Sequence, residues 1–251
     1  MADIVAAGYR RTPEVLETDV VVDGAMKSGN TWFRFLVAGA VFGLDVTLAP
    51  PTAVYYLVPD IENDTVYERY DSTMFFKSHS LPRPEYRRVV YLLRDGRDVM
   101  VSMYHHLRAV RGEDGVDFLR MVRDGEGLSP CKWHEHVQAW TANPFGAGMI
   151  TIRYEDLLAD GVQELQRLCE FVGVERDRST LQAALSNAGF ERMRGMEATP
   201  GANPDPMWPA DKRFLRRGEA GSHRDEMPPE VLAAFMAQAE DTLGETGYLA
   251  P

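Results

Sequence analysis

Four short apolar runs, Val20-Val21-Val22, Met74-Phe75-Phe76, Val89 to Leu93 and Met149 to Ile152, divide a chain whose intervening stretches repeat apolar residues at three- and four-residue steps. The runs are rich in β-branched and aromatic side chains and bounded by polar ones, as strands buried on both faces are. The helical stretches are Trp32 to Phe42, Val99 to Val110, Trp133 to Trp140, Gln163 to Val172, Ser179 to Leu185 and Pro229 to Leu243. Strands alternating with helices predict an α/β fold, with a mostly parallel sheet flanked by helices on both faces. A length of 251 residues and a hydrophobic fraction of 45% suit a single domain over residues 1–251 with a full core. Proline and glycine crowd Gly195 to Pro209, so residues 195–213 are expected to form a mobile loop covering a site.

Charge narrows the partners. A net charge of −11 excludes bulk binding to nucleic acid or anionic membrane, either of which needs a dominant basic surface. An anionic ligand must therefore be held locally, which makes the basic islands Arg94 to Arg97 and Arg213 to Arg217 informative. No signal-peptide core opens the chain, and no stretch approaches the roughly 18 apolar residues of a membrane span. Two cysteines, Cys131 and Cys169, stand in no metal-like spacing and suit a reducing compartment. A cytoplasmic protein is expected.

The segment Val20 to Trp32 reads strand, glycine-bounded loop, helix. Such a turn aims unpaired backbone N–H groups and the positive end of a helix dipole at one point, making an anion site. Gly24 and Gly29 have the spacing of the two P-loop glycines, so the fold should be P-loop-like, and Thr31 offers a hydroxyl. In a nucleoside triphosphatase the lysine follows the second glycine directly; here Asn30 stands there and Lys27 sits inside the loop. The loop is built for a phosphate rather than an ATP–magnesium complex. A second strand, Val89 to Leu93, delivers Arg94 beside the start of a helix, again a cationic fork at a helix N-terminus. Arg216 and Arg217, followed by Gly218, give two adjacent guanidiniums and a free N–H, a set suited to a dianionic monoester.

These motifs resemble, in order along the chain, those of the sulfotransferases that use 3′-phosphoadenosine-5′-phosphosulfate (PAPS). That family's 5′-phosphosulfate loop reads Pro-Lys-Ser-Gly-Thr-Thr-Trp. Here Lys27-Ser28-Gly29 and Thr31-Trp32 match it, Met26 replaces the proline and Asn30 one threonine. The resemblance implies that Lys27 contacts the 5′-phosphate and bridging oxygen and that Trp32 lies against the adenine. Arg94 and Ser102 reproduce the family's eight-residue arginine-to-serine spacing at the 3′-phosphate, and Arg216-Arg217-Gly218 resembles its closing strip. After that strip Ser222-His223-Arg224 departs from the usual Asp-Trp-Lys. Tyr154 and Phe190 match the aromatics that meet the adenine.

Phe76-Lys77-Ser78-His79 resembles the family's Lys-x-His strip, with Ser80 inserted before Leu81-Pro82. A period of two puts Lys77 and His79 on one side of a strand end. His79 is then the base for the acceptor hydroxyl, and Lys77 offsets charge on the sulfuryl oxygens. The implied function is in-line sulfuryl transfer from PAPS to a small-molecule hydroxyl, with 3′-phosphoadenosine 5′-phosphate (PAP) as product and no metal required. His134 and His136, two apart on a helical pattern, make a poor metal pair. The helix bearing them, Trp133 to Trp140, looks like the one behind the family's acceptor pocket. Tyr55, Tyr56, Leu57, Phe118, Met121 and Trp208 suggest an apolar or aromatic acceptor. Two other classes stay open, a P-loop-type kinase and an adenine-nucleotide-binding protein without catalysis. Monomer and homodimer stay open as well.

Overall fold

The computed structural model describes residues 9–11, 14–64, 66–70, 72–197, 208–209 and 211–249. The loop expected over 195–213 therefore lies largely outside the described residues. The four apolar runs become strands β2 (Val20–Asp23), β4 (Phe75–Ser78), β5 (Arg88–Leu93) and β6 (Gly148–Arg153), all parallel, in the spatial order β4-β2-β5-β6. A small antiparallel pair joins β1 (Tyr9–Arg11) to β3 (Val66–Glu68).

Each strand feeds both faces. Val20, Val22, Val90, Leu92 and Ile152 point into one apolar cluster, and Val21, Phe76, Val89, Tyr91 and Leu93 into the other. This two-residue alternation is why the runs are apolar throughout rather than every second residue. The first face is covered by α1 (Asn30–Ala40), α6 (Tyr154–Val172) and α7 (Arg178–Asn187). The second is covered by α3 (Gly96–Arg111), α4 (Phe118–Asp124), α5 (Trp133–Ala142) and α10 (Pro229–Glu245). Three shorter α-helices, α2 (Pro51–Leu57), α8 (Phe190–Met196) and α9 (His223–Glu226), and one 3-10 turn, Glu113–Gly115, complete the described helical elements. Five of the six helical stretches read from the sequence lie within these elements, and the sixth, Trp32 to Phe42, runs two residues past the end of α1. Among the described residues, no helix is long and apolar enough to cross a membrane.

The packing between α3 and its neighbours is tight enough to test. At Gly96, the first residue of α3, a Cβ would lie 2.4 Å from Trp133 Cδ2 and 2.7 Å from Phe235 Cζ. Both rings belong to the buried core and cannot swing aside. Gly96→Ala is expected to cost about 1–3 kcal/mol, the usual penalty of overpacking. Urea unfolding reads this directly, and an unchanged midpoint would show that the α3–α5 contact is looser than described.

Candidate active site

The carboxyl ends of β2, β4, β5 and β6 open into one cavity of about 660 Å³. Strand order turns around β2: the chain leaves it for β4 on one side, then crosses to β5 on the other. A crevice at such a reversal is where open α/β sheets hold ligands. Of the fifteen residues assigned from the sequence to catalysis and nucleotide binding, all but Ser28 line the cavity. Ser28 is buried just beneath, in the same turn.

The first loop has the strained backbone an anion cradle needs. Lys27 adopts φ 70° and Gly29 φ 99°, both in the left-handed region, and Ser28 N–H donates to the Ala25 carbonyl at 3.1 Å. Gly29 is also the N-cap of α1, so no side chain caps the helix, and its first turn holds no acidic residue. The free N–H groups at that end face the cavity without a counter-charge of their own. Ser28 Oγ, both amide atoms of Asn30 and Arg94 Nε are buried without a hydrogen-bond partner. A cluster of orphaned polar groups around a strand–loop–helix turn fits an anionic ligand that is polar on several sides.

Arg94 ties the two clamps together. Its Nη1 donates to the Lys27 carbonyl at 3.1 Å and its Nη2 to the Glu219 carbonyl at 2.9 Å, while the guanidinium lies 4.2 Å above the Tyr154 ring. Arg216 is held by Glu226, with Nη1 at 2.6 and 2.7 Å from the two carboxylate oxygens, and Arg217 reaches the same carboxylate at 3.1 Å. His105 Nε2 is a third neighbour of Glu226, at 2.8 Å. Burial works to raise the Glu226 pKa, but its hydrogen bonds to Arg216 and His105 prevail and hold it down.

The Ser222-His223-Arg224 departure proves to be an anchor. His223 N and Nδ1 donate to Asp98 Oδ1 at 2.9 and 2.7 Å, and Gly221 N donates to Oδ2 at 2.6 Å. Against burial, these bonds lower the Asp98 carboxyl to about 2. They fix the strip to the first turn of α3, directly behind Arg94.

Aromatic side chains wall this part of the cavity. Trp32 meets Tyr154 edge-on at 5.7 Å and donates its indole N–H to the Ala188 carbonyl at 2.9 Å. Phe190 packs against Gly218, where a Cβ would come within 2.3 Å of the ring. Only a glycine, already at φ 68°, permits that approach. Tyr154 opens α6 rather than merely following β6, and Phe190 opens α8. Ser102 reaches the wall from the second turn of α3.

At the tip of β4, His79 opens an edge to the cavity while protein encloses the rest of its ring. Nδ1 lies 2.7 Å from the Gly24 carbonyl. A carbonyl only accepts, so Nδ1 carries the hydrogen and Nε2 is left as the basic nitrogen, unbonded among the described residues. Burial, then the Lys77 ammonium, push the imidazole well below its ordinary 6.5. It is therefore neutral, and able to accept a proton, at neutral pH.

Lys77 is not the lone cation its spacing suggests. Its Nζ is 2.7 Å from Asp60 and 3.8 Å from Glu62. Burial favours a raised pKa for Asp60, but Lys77 outweighs it and keeps the carboxyl well below the usual range. The segment around Asp60 pairs with the outer edge of β4, the Lys77 N–H donating to the Pro59 carbonyl at 2.8 Å. Glu62 then accepts from the His79 N–H and the Ser78 hydroxyl, each at 2.9 Å. Neither carboxylate was legible as a site residue, because the turn over residues 61–63 that brings Glu62 back to His79 follows the single bridge at Asp60.

The aromatic and apolar residues expected around the acceptor do other work. Phe118 and Met121 are core, Tyr56 is exposed, and Tyr55 lies against the buried Arg34. Trp208 stacks on His106 at 5.3 Å. None of the six lines the cavity, whose wall near His79 includes Asp60, Glu62, Asn63, Ser80 and Arg83. Among the described residues, no group of three or more His, Cys, Asp and Glu could hold a metal.

A P-loop-like sheet that gathers basic side chains and a histidine around one cavity is suited to transferring an anionic group. The sulfotransferase domain family matches residues 17–247, and the chain belongs to that family. Sulfotransferase 1A1 of Canis lupus familiaris is 26% identical over 81% of this chain and 76% of its own. Flavonol 3-sulfotransferase of Flaveria bidentis is 24% identical over 92% and 83%. The crystal structure of mouse sulfotransferase SULT7A1 complexed with PAP shares the fold, with a TM-score of 0.70 at 17% identity over 92% of this chain and 86% of that one. The protein is thus a sulfotransferase, an enzyme that moves a sulfuryl group.

Proposed function

We propose that the enzyme takes the sulfuryl group from PAPS and delivers it to a hydroxyl of a small-molecule acceptor by direct in-line displacement, with His79 as base. The observation that carries this reading is the His79 tautomer, whose Nε2 is free to accept while Nδ1 is tied to the Gly24 carbonyl of the phosphate loop. One hydrogen bond thus couples the base to the anion cradle.

In the reaction the acceptor oxygen forms a bond to sulfur as the bond from sulfur to the bridging phosphate oxygen breaks. The departing electron pair stays on that oxygen, and the acceptor proton passes to His79 Nε2. Lys27 and the α1 N-terminus stabilise the charge that develops on the leaving phosphate. Arg94, Ser102, Arg216, Arg217 and the Gly218 N–H hold the 3′-phosphate, and Trp32, Tyr154 and Phe190 enclose the adenine. Asn30 and Thr31 continue the phosphate cradle, with Ser28 below it. Lys77, partly neutralised by Asp60, lends its remaining donors to the sulfuryl oxygens. Fixed cations suffice for a leaving group this good, so no metal enters the scheme.

The polar residues near His79 favour an acceptor with hydrogen-bonding groups over a wholly apolar one. Two free cysteines, Cys131 and Cys169, fit a single-domain enzyme of the cytoplasm. Isothermal titration tests the donor: PAP is expected to bind at least tenfold more tightly than ATP. Preference for ATP would replace this reading with a kinase.

A further inference from the structure

Behind the tip of β4 lies a buried polar cluster that the reaction above does not use. Asp23, the last residue of β2, is fully buried between its register partners Ser78 in β4 and Tyr91 in β5. Neither of its carboxylate oxygens accepts a well-directed hydrogen bond. The ring of His136 is beside it, with Nε2 3.4 Å from Oδ1. His136 comes from the second turn of α5, is 1% exposed and is absent from the cavity wall. Its ring stacks on Tyr91 at 5.9 Å, with Nδ1 3.0 Å from the Tyr91 hydroxyl and Nε2 3.3 Å from the carbonyl of His79.

The partners fix the hydrogens. The His79 carbonyl can only accept, and so can an ionised Asp23, so Nε2 of His136 carries the hydrogen shared between them. Nδ1 then holds a lone pair, and the Tyr91 hydroxyl donates to it. A buried carboxylate with no good hydrogen bond is costly, and burial pushes the Asp23 pKa up. A hydrophobic residue would fill the same space between two strands without that cost. What the carboxylate adds is a field that favours the Nε2–H tautomer and strengthens it as a donor.

His79 needs such a donor. It stands one residue past the end of β4, where the sheet ladder no longer holds the backbone. Three bonds replace the ladder: its N–H to Glu62, its ring Nδ1–H to Gly24, and its carbonyl to His136. A base displaced by about 1 Å can lose about 10²-fold in rate.

We propose that Asp23 and His136 are positioning residues for the His79 base, the His136 Nε2–H locking the His79 carbonyl and Asp23 holding His136 in that tautomer. The proposal rests on His79 acting as the base. It is tested on the full chain with His136→Leu, His136→Asn, His136→Gln and Asp23→Asn. The amide nitrogen of Gln reaches the place of Nε2, whereas that of Asn reaches only as far as Nδ1.

His136→Leu and His136→Asn are expected to lower kcat at least tenfold with the Kd for PAP within twofold of wild type. His136→Gln should recover to within about threefold of wild type, and Asp23→Asn, which keeps an acceptor but loses the charge, should fall between. Nitrogen-15 spectra of the His79 ring in the PAP complex give a readout without turnover. Wild type and Gln should hold one Nδ1–H tautomer, and Leu and Asn should show a mixture. Equal activity and equal spectra across Leu, Asn and Gln would overturn the proposal. If Leu fails to fold, the Asn–Gln pair decides by the same criteria. A wild-type enzyme that binds PAP but transfers to no acceptor would instead defeat the catalytic reading, leaving the ring spectra to judge the positioning.

Discussion

His79→Ala should lower sulfuryl transfer by about 10²–10⁴-fold at neutral pH while leaving PAP affinity within twofold of wild type. The size follows from what is removed: the nitrogen that takes the acceptor proton, and nothing that touches the nucleotide. The side chain bonds only to the Gly24 carbonyl, at the entrance to the phosphate loop. The pH dependence has a definite sign. Only the neutral imidazole accepts a proton, so the rate climbs with pH up to the folded-state pKa and is level above it. Burial and Lys77 hold that pKa well below 6.5, so the wild-type rate should already be level by pH 6.5, with its rising limb at lower pH. Transfer of labelled sulfate measured across pH checks both statements. Undiminished transfer by the alanine variant would leave a nucleotide-binding protein whose base lies elsewhere. A midpoint near 7 would mean that water reaches the ring more freely than its surroundings indicate.

Lys27→Ala is the second large effect, expected to reduce kcat by about 10²–10³-fold, the usual loss when one donor to a developing oxyanion is removed. Lys27 sits in the left-handed region within the loop, and its own carbonyl is pinned by Arg94. The backbone cradle thus stays ordered when the side chain is cut back. Its ammonium rests 4.3 Å above the Phe214 ring, on the cavity wall. Because charge on the leaving phosphate is greater in the transition state than in bound PAPS, the loss should appear more in kcat than in PAPS affinity. Single-turnover rates measured across PAPS concentration separate the two. A variant that loses affinity and rate equally would make Lys27 a binding residue only.

The parts legible in the sequence were those whose physics is local. Four apolar runs and six helical periods gave the sheet and its covering layers, because a strand buried on both faces has to be apolar throughout. The Lys27 loop was legible because a strand, two glycines and a helix start adjoin in the chain. The short helices α2 and α8 were not, since seven residues give too little period to separate from a loop. Residues recruited across the fold were also hidden. Asp60 becomes an ion partner of Lys77 only because its segment pairs with the edge of β4, and Asp98 anchors the late strip only once α3 and residues 221–223 meet. The acceptor side misled for the same reason: Phe118 and Met121 are apolar enough for a pocket, but the packing of α4 sends them to the core.

Glu226 shapes how the closing strip meets its ligand. Its carboxylate already offsets half the charge of Arg216 and Arg217, so on the proposed reading a phosphate arriving there competes with a resident anion instead of filling an empty positive hole. Affinity at that end would then reflect a difference between two sets of ion pairs, and once the ligand left, the guanidiniums would have a waiting counter-ion to return to.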